Sequence, residues 1–399
     1  MLRPLYYLCK VFGLASYSYV ADRRNKRVTT DYGYLNYMFT AIWLIVYTVG
    51  LPVELLRLDH EDIDSQILFI TFMVYIISSY TSSIVAIVCI SIIKRRKFLE
   101  ILENISEVDN KLRYTVQEET FMNRKVMFNT ISEIIFLIVV MSMVIIKNIY
   151  VYKSEPYDII IQEAISSFPE FCNALILFQF VNLIFMVKQR YSHLNKRLTN
   201  WINFALSRPI YLNTENVRFS QSDRRVDQVN KTSLFVSRYG NMEGTLKQTD
   251  IHVLRQIYSE LYDITCLIND TYGIPILSAT CWILTGVLFC VYESLINFKE
   301  RGGEDITYVL AVMVLFFNVT LFCHTATNEA RSSRILVEKL LLERNCRNEI
   351  VEELKMLSFQ LQAMTNEYTA CGFFPLNLSS FISVVSVIVS YIVILVQIK

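Results

Sequence analysis

The sequence has little charge, glycine, proline or histidine. Its 399 residues are 19% charged with a net charge of +1, and they include 10 glycines, 7 prolines and 4 histidines. A nucleic-acid-binding, collagen-like or disordered chain would need a bias in charge or composition that is missing here. The sequence also lacks the G-x-x-x-x-G-K-[ST], G-x-G-x-x-G and G-x-S-x-G patterns that mark nucleotide-dependent pumps, dinucleotide-binding enzymes and hydrolases. We therefore expect no enzymatic activity, no cofactor and no nucleic-acid partner.

A metal site is not expected either. The histidines His60, His193, His252 and His324 are scattered, and there is no H-E-x-x-H or C-x-x-C pattern. No pair of acidic residues at ligand spacing lies within an apolar stretch. Such spacings are what bring metal ligands onto one face of a helix or into one loop.

Hydrophobic residues make up 53% of the chain and give it a mean hydropathy of +0.36. A soluble chain of this length has a negative mean hydropathy and a charged fraction of about a quarter. Because about 20 mostly apolar residues cross a bilayer core, we predict an all-α, polytopic membrane protein with seven transmembrane helices. The predicted spans are residues 35–56, 67–93, 128–150, 168–187, 273–297, 306–327 and 377–398.

An additional apolar stretch, Leu5 to Val20, precedes these spans. It is interrupted by Lys10, and four basic residues follow it between positions 23 and 27. In a cleavable signal peptide the basic residues come first. We predict a helix on the membrane surface, with a signal peptide as the alternative.

The distribution of Lys and Arg predicts the orientation, because cytoplasmic loops are enriched in basic residues. Six basic residues precede the first span and eight lie within residues 94–125, whereas residues 59–66 hold four acidic and no basic residues. The loops after the third and fifth spans carry only Lys153 and the pair Lys299 and Arg301. The N-terminus is therefore predicted to be cytoplasmic and the C-terminus extracellular, the reverse of a G-protein-coupled receptor. A miscounted span would restore the ordinary orientation.

Helical periodicity continues outside the membrane after the fourth span, before the fifth and after the sixth. Amphipathic helices of this length must bury their apolar faces against one another. The polar stretch 207–250 between the first two extensions is predicted to be a mobile insert without a function of its own. The chain thus divides into a cytoplasmic N-terminal segment, spans one to four, cytoplasmic helices, spans five and six, anchor helices and a last span, at residues 1–34, 35–187, 188–272, 273–327, 328–376 and 377–399.

The last span has one polar face. With residues about 100° apart around the helix axis, four serines, one isoleucine and one glutamine fall within an arc of about 80°. A polar stripe in hydrocarbon must face protein or water. Two interpretations stay open: close packing against other helices, and a pore wall that requires several copies of the chain around an axis. The stripe comprises Ser379, Ser383, Ser386, Ser390, Ile394 and Gln397.

The C-terminal residues resemble a known signature. The insect gustatory receptor pattern is T-Y, five hydrophobic residues and Q-F, and here Tyr391 and Gln397 match with the right spacing, while Ser390 replaces Thr and Ile398 replaces Phe. Four other segments also resemble these receptors, namely PLYYLCKVFGLA at 4–15, NDTYG at 269–273, NEAR at 328–331 and TACGFF at 369–374.

The resemblance implies a tetrameric, ligand-gated, non-selective cation channel in the plasma membrane of chemosensory neurons. It implies a homotetramer or a heteromer with other gustatory receptors, surrounded by membrane lipid and conducting monovalent and divalent cations. It further implies that the last span lines the pore, that the cytoplasmic helices anchor the subunits together, and that a small-molecule tastant binds an outward-facing pocket in each subunit. The implied pore and gate residues are Ser383, Ser386, Ser390, Ile394, Gln397 and Ile398.

Candidates for the pocket lie in the outer halves of spans two to six, because a small-molecule site needs aromatic faces with a few polar groups. An ionisable residue inside a span, such as Glu293, is also a site candidate. Alternatively, the tyrosines are interfacial anchors and Lys147 extends to the surface. The candidates are Thr71, Tyr75, Lys147, Glu170, Tyr292, Glu293 and Tyr308.

Two rival functions are disfavoured. A G-protein-coupled chemoreceptor, the main alternative, would show a D-R-Y-like end to span three and N-P-x-x-Y in span seven, and neither is present. A transporter would show internal repeats and broken or charged helices near the membrane midplane. No long repeat is visible, and only Pro275 and Glu133, both near span ends, approach that pattern.

Overall fold

The computed structural model describes residues 3–15, 18–21, 28–31, 34–58, 66–112, 114–151, 167–207, 248–296, 302–342 and 348–398. Within these residues nearly all regular structure is helical. The helices are α1 (Arg3–Val11), α2 (Tyr34–Leu58), α3 (Gln66–Ile87, continued by a π-helical turn at Val88–Ile93), α4 (Arg95–Leu112), α5 (Val116–Val151), α6 (Phe168–Ser207), α7 (Gln248–Ile296), α8 (Gly302–Leu342), α9 (Asn348–Ala363) and α10 (Leu378–Ile398). Two small antiparallel hairpins pair β1 (Ser18–Ala21) with β2 (Val28–Asp31) and β3 (Thr369–Ala370) with β4 (Phe374–Pro375). The all-α prediction is confirmed apart from these hairpins.

Each predicted span corresponds to one helix of the structure. In the described part of the chain, five helices are long and apolar enough to cross a membrane, at Tyr37–Leu56, Gln66–Ile93, Phe168–Asn203, Asp250–Leu295 and Ile306–Leu342. The two other predicted spans are residues 128–150 of α5 and the shorter apolar helix α10. The orientation in the membrane stays a prediction. Most residues of the predicted outward loops lie outside the described part of the chain, and residues 302–305 of the last one form the first turn of α8.

The predicted surface helix is too long. α1 ends at Val11, and Gly13 follows with φ +74°, a left-handed conformation that ends helices and suits glycine. The chain then forms β1, whose backbone pairs with β2. Residues 18–21 are extended because they pair with β2. The helical periodicity of residues 5–20 does not reveal this partner. The position of α1 on the membrane surface stays a prediction.

Three helices extend far beyond the length of a membrane span. α6, α7 and α8 contain 40, 49 and 41 residues, which corresponds to about 60–75 Å at 1.5 Å per residue. A bilayer core needs about 30 Å, so the predicted long extensions are confirmed. We call the extensions of α6 (188–207), α7 (248–272) and α8 (328–342), together with α4 and α9, the anchor end.

The apolar faces of the anchor end pack against one another, as the periodicity predicts. Leu194 and Leu198 of α6, Leu254 and Leu261 of α7, and Leu357 of α9 are all buried. Residues 343–347, between the extension of α8 and α9, lie outside the described part of the chain. Most of the predicted insert 207–250 also lies outside it. The mobility of that insert stays a prediction.

A buried ion pair joins α4 to α6 at the anchor end. The guanidinium of Arg190 donates from Nε to Asp109 Oδ1 at 2.9 Å and from Nη2 to Asp109 Oδ2 at 2.5 Å. Its third nitrogen donates to the carbonyl oxygen of Met186 at 2.7 Å. Each nitrogen of the Arg190 guanidinium therefore donates a hydrogen bond, in a place where an unpaired charge would be costly.

Candidate functional site

Three helices of the bundle bring polar side chains together. The hydroxyl of Tyr75 on α3 donates to Oε1 of Glu170 on α6. The same hydroxyl lies 3.1 Å from the hydroxyl of Tyr308 on α8, within hydrogen-bonding distance. All three side chains are half-buried. We call Tyr75, Glu170 and Tyr308 the polar cluster.

Aromatic rings form one wall of the polar cluster. The ring of Tyr75 stacks on Phe289 of α7 with centroids 5.5 Å apart and planes 9° apart. Phe72 also stacks on the ring of Phe289, with centroids 4.7 Å apart. Gly286 makes this approach possible, because a Cβ atom at that position would lie 3.0 Å from Cε2 of Tyr75. The glycine therefore allows α3 and α7 to pack closely beside the cluster.

The polar cluster combines a carboxylate, phenolic hydroxyls and flat apolar surface. A carboxylate inside a span must be hydrogen-bonded, since burial of an unpartnered polar group is costly. Here a tyrosine hydroxyl provides that partner. Polar groups at the edge of an aromatic surface are what orient a small organic molecule in a binding site. The arrangement thus has the chemistry of a small-molecule site.

The structure brings together three of the predicted pocket residues, Tyr75, Glu170 and Tyr308. Thr71 lies one turn before Tyr75 on α3, where its hydroxyl donates to the carbonyl of Leu68 at 2.9 Å. Thr71 therefore uses its hydroxyl within its own helix. The binding role of these residues stays a prediction.

The other predicted pocket residues lie near the cluster along the chain or outside the described part. Tyr292, which is buried, and Glu293, which is half-buried, lie one turn beyond Phe289 on α7. The side chain of Lys147 lies outside the described residues. Sequence reasoning missed Phe289 and Gly286, because spacing along α7 does not indicate which of its faces meets α3.

Three serines of the α10 stripe are exposed and hydrogen bond within their own helix. The hydroxyls of Ser383, Ser386 and Ser390 donate to the carbonyl oxygens four residues earlier at 3.0, 3.0 and 2.8 Å. The side chains of Ile394 and Gln397 are also exposed, whereas that of Ile398 lies outside the described residues. The predicted polar stripe is therefore uncovered in a single chain.

A different face of α10 packs against the bundle. Phe381 contacts Phe316 and Phe317 of α8, with ring centroids 6.0 and 5.3 Å apart, and Ile388 is buried. Packing within the chain, one of the two interpretations of the stripe, thus uses the apolar side of the helix instead of the serines.

The segment before α10 is held by α7. The amide of Asn269 donates to the carbonyl of Glu367 at 2.7 Å and accepts the N–H of Thr369 at 3.2 Å. Gly273 lies so close to the hairpin that a Cβ there would be 3.1 Å from the backbone of Cys371. Arg331 of α8 donates to the carboxylate of Glu367 at 2.7 Å. Three of the segments that resemble gustatory receptors therefore converge at this hairpin.

Comparison with known proteins identifies the family. The family model of the 7tm chemosensory receptors matches residues 2–399. The chain belongs to this family. The receptor is accordingly not an enzyme. The prediction of a chemoreceptor is confirmed at the level of the family.

Solved structures agree with this assignment. The receptor is similar to the insect olfactory receptor OR5 from Machilis hrabei, both alone and in complex with eugenol. In each comparison the TM-score is 0.69 at 12% identity, covering 100% of this chain and 98% of that chain. At this identity the similarity shows the fold. No curated protein sequence matches the receptor.

Proposed function

We propose that this receptor is a gustatory receptor that acts as a tetrameric, ligand-gated, non-selective cation channel. The uncovered polar stripe of α10 carries the proposal. Each serine hydroxyl that donates to its own backbone keeps lone pairs that accept hydrogen bonds from water. One narrow stripe cannot enclose an aqueous path, so the proposal requires α10 helices from several chains around a common axis.

The proposed gate lies at the C-terminal end of α10. Ser383, Ser386 and Ser390 would line the pore, and Ile394, Gln397 and Ile398 would close it at the predicted extracellular end. The exposure of Ile394 and Gln397 in a single chain supports this assignment. Opening would rotate these side chains away from the axis and hydrate the pore.

The proposed ligand site is the polar cluster, and α8 connects it to the pore helix. Tyr308 and Phe316 lie on α8 eight residues apart, about 12 Å along the helix axis. Phe316 packs directly against Phe381 of α10. A ligand that displaces Tyr308 would therefore shift a helix that contacts the pore wall.

The ligand chemistry follows from the groups in the cluster. The carboxylate of Glu170 and the two tyrosine hydroxyls favour a small tastant with hydroxyl or amino groups, and the aromatic wall favours a compact apolar body. The similar olfactory receptor has been solved in complex with eugenol. We further propose assembly as a homotetramer or with other gustatory receptors in the plasma membrane of chemosensory neurons.

The decisive experiment is whole-cell recording from non-insect cells that express this chain, with G-protein signalling blocked. Sugars, bitter alkaloids and amino acids are applied in turn. We expect a fast current with a reversal potential near zero. A response that disappears under the blockade would instead support the G-protein-coupled alternative.

Paired variants locate the pore and the ligand site. Gln397→Ala should change basal or evoked current, whereas Val389→Ala, an exposed position of α10 outside the stripe, should not. Tyr75→Phe keeps the ring and removes a hydroxyl, so it should raise the half-maximal ligand concentration with an unchanged maximal current. Equal effects of Gln397→Ala and Val389→Ala would refute the gate assignment.

A further inference from the structure

A groove opens on the protein surface between α5 and α6, away from the polar cluster and from α10. Its volume is about 400 Å³. It lies where two predicted spans meet the aqueous phase, since one begins at residue 128 of α5 and the other ends at residue 187 of α6. The lining residues are Phe121, Arg124, Lys125, Phe128, Asn129 and Phe185.

The groove carries positive charge that the protein does not neutralise. Arg124 and Lys125 are exposed, and neither forms an ion pair within the part of the chain that the structure describes. The ammonium of Lys125 lies 4.4 Å from the centroid of the Phe121 ring. The groove therefore presents two cations, one of them held over an aromatic ring.

A third cation lies next to the groove. Lys188 on α6 donates to the hydroxyl of Thr325 at 3.0 Å and is repelled by Lys125. Glu329 attracts Lys188, but its carboxylate also accepts a hydrogen bond from the amide of Asn195 at 3.1 Å. Three cations thus face two carboxylates, those of Glu329 and of Glu133 behind the groove, and the positive balance favours an anionic occupant.

The other side of the groove is apolar and aromatic. The side chain of Phe128 is 76% exposed and that of Phe121 is 55% exposed. Phe185 is fixed by an edge contact with Phe322 of α8, with ring centroids 5.5 Å apart. Asn129 is fixed as well, because its amide donates to Glu133 at 2.8 Å. The groove therefore joins exposed aromatic surface on α5, backed by the held side chains of Phe185 and Asn129, to positive charge without an ion-pair partner.

We propose that this groove binds one anionic phospholipid, with the phosphate between Arg124 and Lys125 and an acyl chain along Phe121 and Phe128. The occupant must be amphiphilic, because charged and aromatic surfaces adjoin within a single groove. The predicted orientation places it in the cytoplasmic leaflet, where anionic lipids attract basic segments. Basic residues that merely mark the cytoplasmic side extend into water and need no groove.

The test measures lipid binding by the purified full-length receptor in detergent. The probes are short-chain phosphatidylserine, the matching phosphatidylcholine and glycerophosphoserine, and native mass spectrometry detects the bound lipid. Arg124→Gln with Lys125→Gln removes the two charges. Arg96→Gln with Lys339→Gln is the matched control, because both of these residues are exposed near the same predicted side of the membrane.

We expect phosphatidylserine to bind in preference to phosphatidylcholine. The Arg124→Gln and Lys125→Gln variant should weaken phosphatidylserine binding about 30-fold, since each basic residue near the surface contributes about 1 kcal/mol. The control pair should retain the wild-type affinity. Phe128→Ala should weaken the binding of phosphatidylserine more than the binding of glycerophosphoserine, because glycerophosphoserine has no acyl chain.

Three outcomes would overturn the proposal. Equal binding of the two lipids would show that the groove does not select charge. An equal loss in the control pair would assign the effect to net charge. Glycerophosphoserine that binds as tightly as the lipid would identify a free phosphate site instead. Unchanged elution and melting temperature of each variant verify that it is folded.

Discussion

Removing Asp109 should destabilise the anchor end more than removing an ordinary surface carboxylate. Arg190 is 1% exposed and Asp109 is 25% exposed, and two hydrogen bonds join them. Breaking one side of a buried pair costs about 3–5 kcal/mol, because the remaining charge stays buried without its partner. Water reaches the exposed part of the Asp109 side chain, so we expect the cost of Asp109→Ala to be near the lower end, about 3 kcal/mol.

The assay heats the full-length receptor in detergent and measures the monodisperse fraction that remains. A chain of this size need not unfold in two states, so the order of the melting temperatures is the quantity compared. The double variant Asp109→Ala with Arg190→Met should melt above Asp109→Ala alone, because methionine leaves no unpaired charge.

A matched control comes from an exposed ion pair on α8. Arg334 and Glu338 are 45% and 46% exposed and four residues apart, so Glu338→Ala should cost at most about 0.5 kcal/mol. The reasoning is refuted if Asp109→Ala melts at the same temperature as Glu338→Ala. It is also refuted if adding Arg190→Met lowers the melting temperature further.

Three further substitutions test other contacts. Gly286→Ala would place its Cβ 3.0 Å from the ring of Tyr75, so the ring must shift by a few tenths of an ångström; we expect normal surface expression and a changed half-maximal ligand concentration in recordings. Asn269→Ala removes two hydrogen bonds to the hairpin before α10. It should reduce the free energy of unfolding by about 1–3 kcal/mol, measured as a lower melting temperature. Burial raises the pKa of Glu118, but hydrogen bonds from the backbone and hydroxyl of Thr115, together with the positive charges of His193 and Arg197, outweigh burial and hold that pKa below its usual 4.5. Ionised Glu118 therefore stabilises the folded state above pH 4.5, and this stabilisation is lost as the pH falls through the lower pKa of the folded state. The melting temperature of Glu118→Gln should depend less on pH in that acidic range than that of the wild type.

Local patterns in the sequence predict the helices well. The apolar runs of the spans and the 3.6-residue periodicity of their extensions both depend on residues within a few positions of one another. The capped start of α10 is local too, because Asn377 accepts the N–H of Ser380 at 2.9 Å. The stripe of serines was visible for the same reason, since the residues of one helical face are fixed by their spacing.

Contacts between distant parts of the chain were not predictable in this way. β1 forms where a helix was predicted, because its hydrogen-bonding partner β2 outweighs the periodicity of residues 5–20. The sequence likewise marks Asp109 and Arg190 as two charges among many, without indicating that α4 and α6 pair them.

The sequence by itself determined that this chain is a helical membrane protein with a polar-faced last helix and a chemoreceptor signature. The tertiary structure decided which side chains meet. Tyr75 reaches Glu170 across 95 residues of chain and Tyr308 across 233, and Gly286 matters only because α7 packs on α3 beside them. Spacing along a helix fixes the direction of each side chain, whereas helix packing selects its partner. The physical reason is that packing is decided by the shape and burial of whole helix faces, and these exist only when the helices assemble.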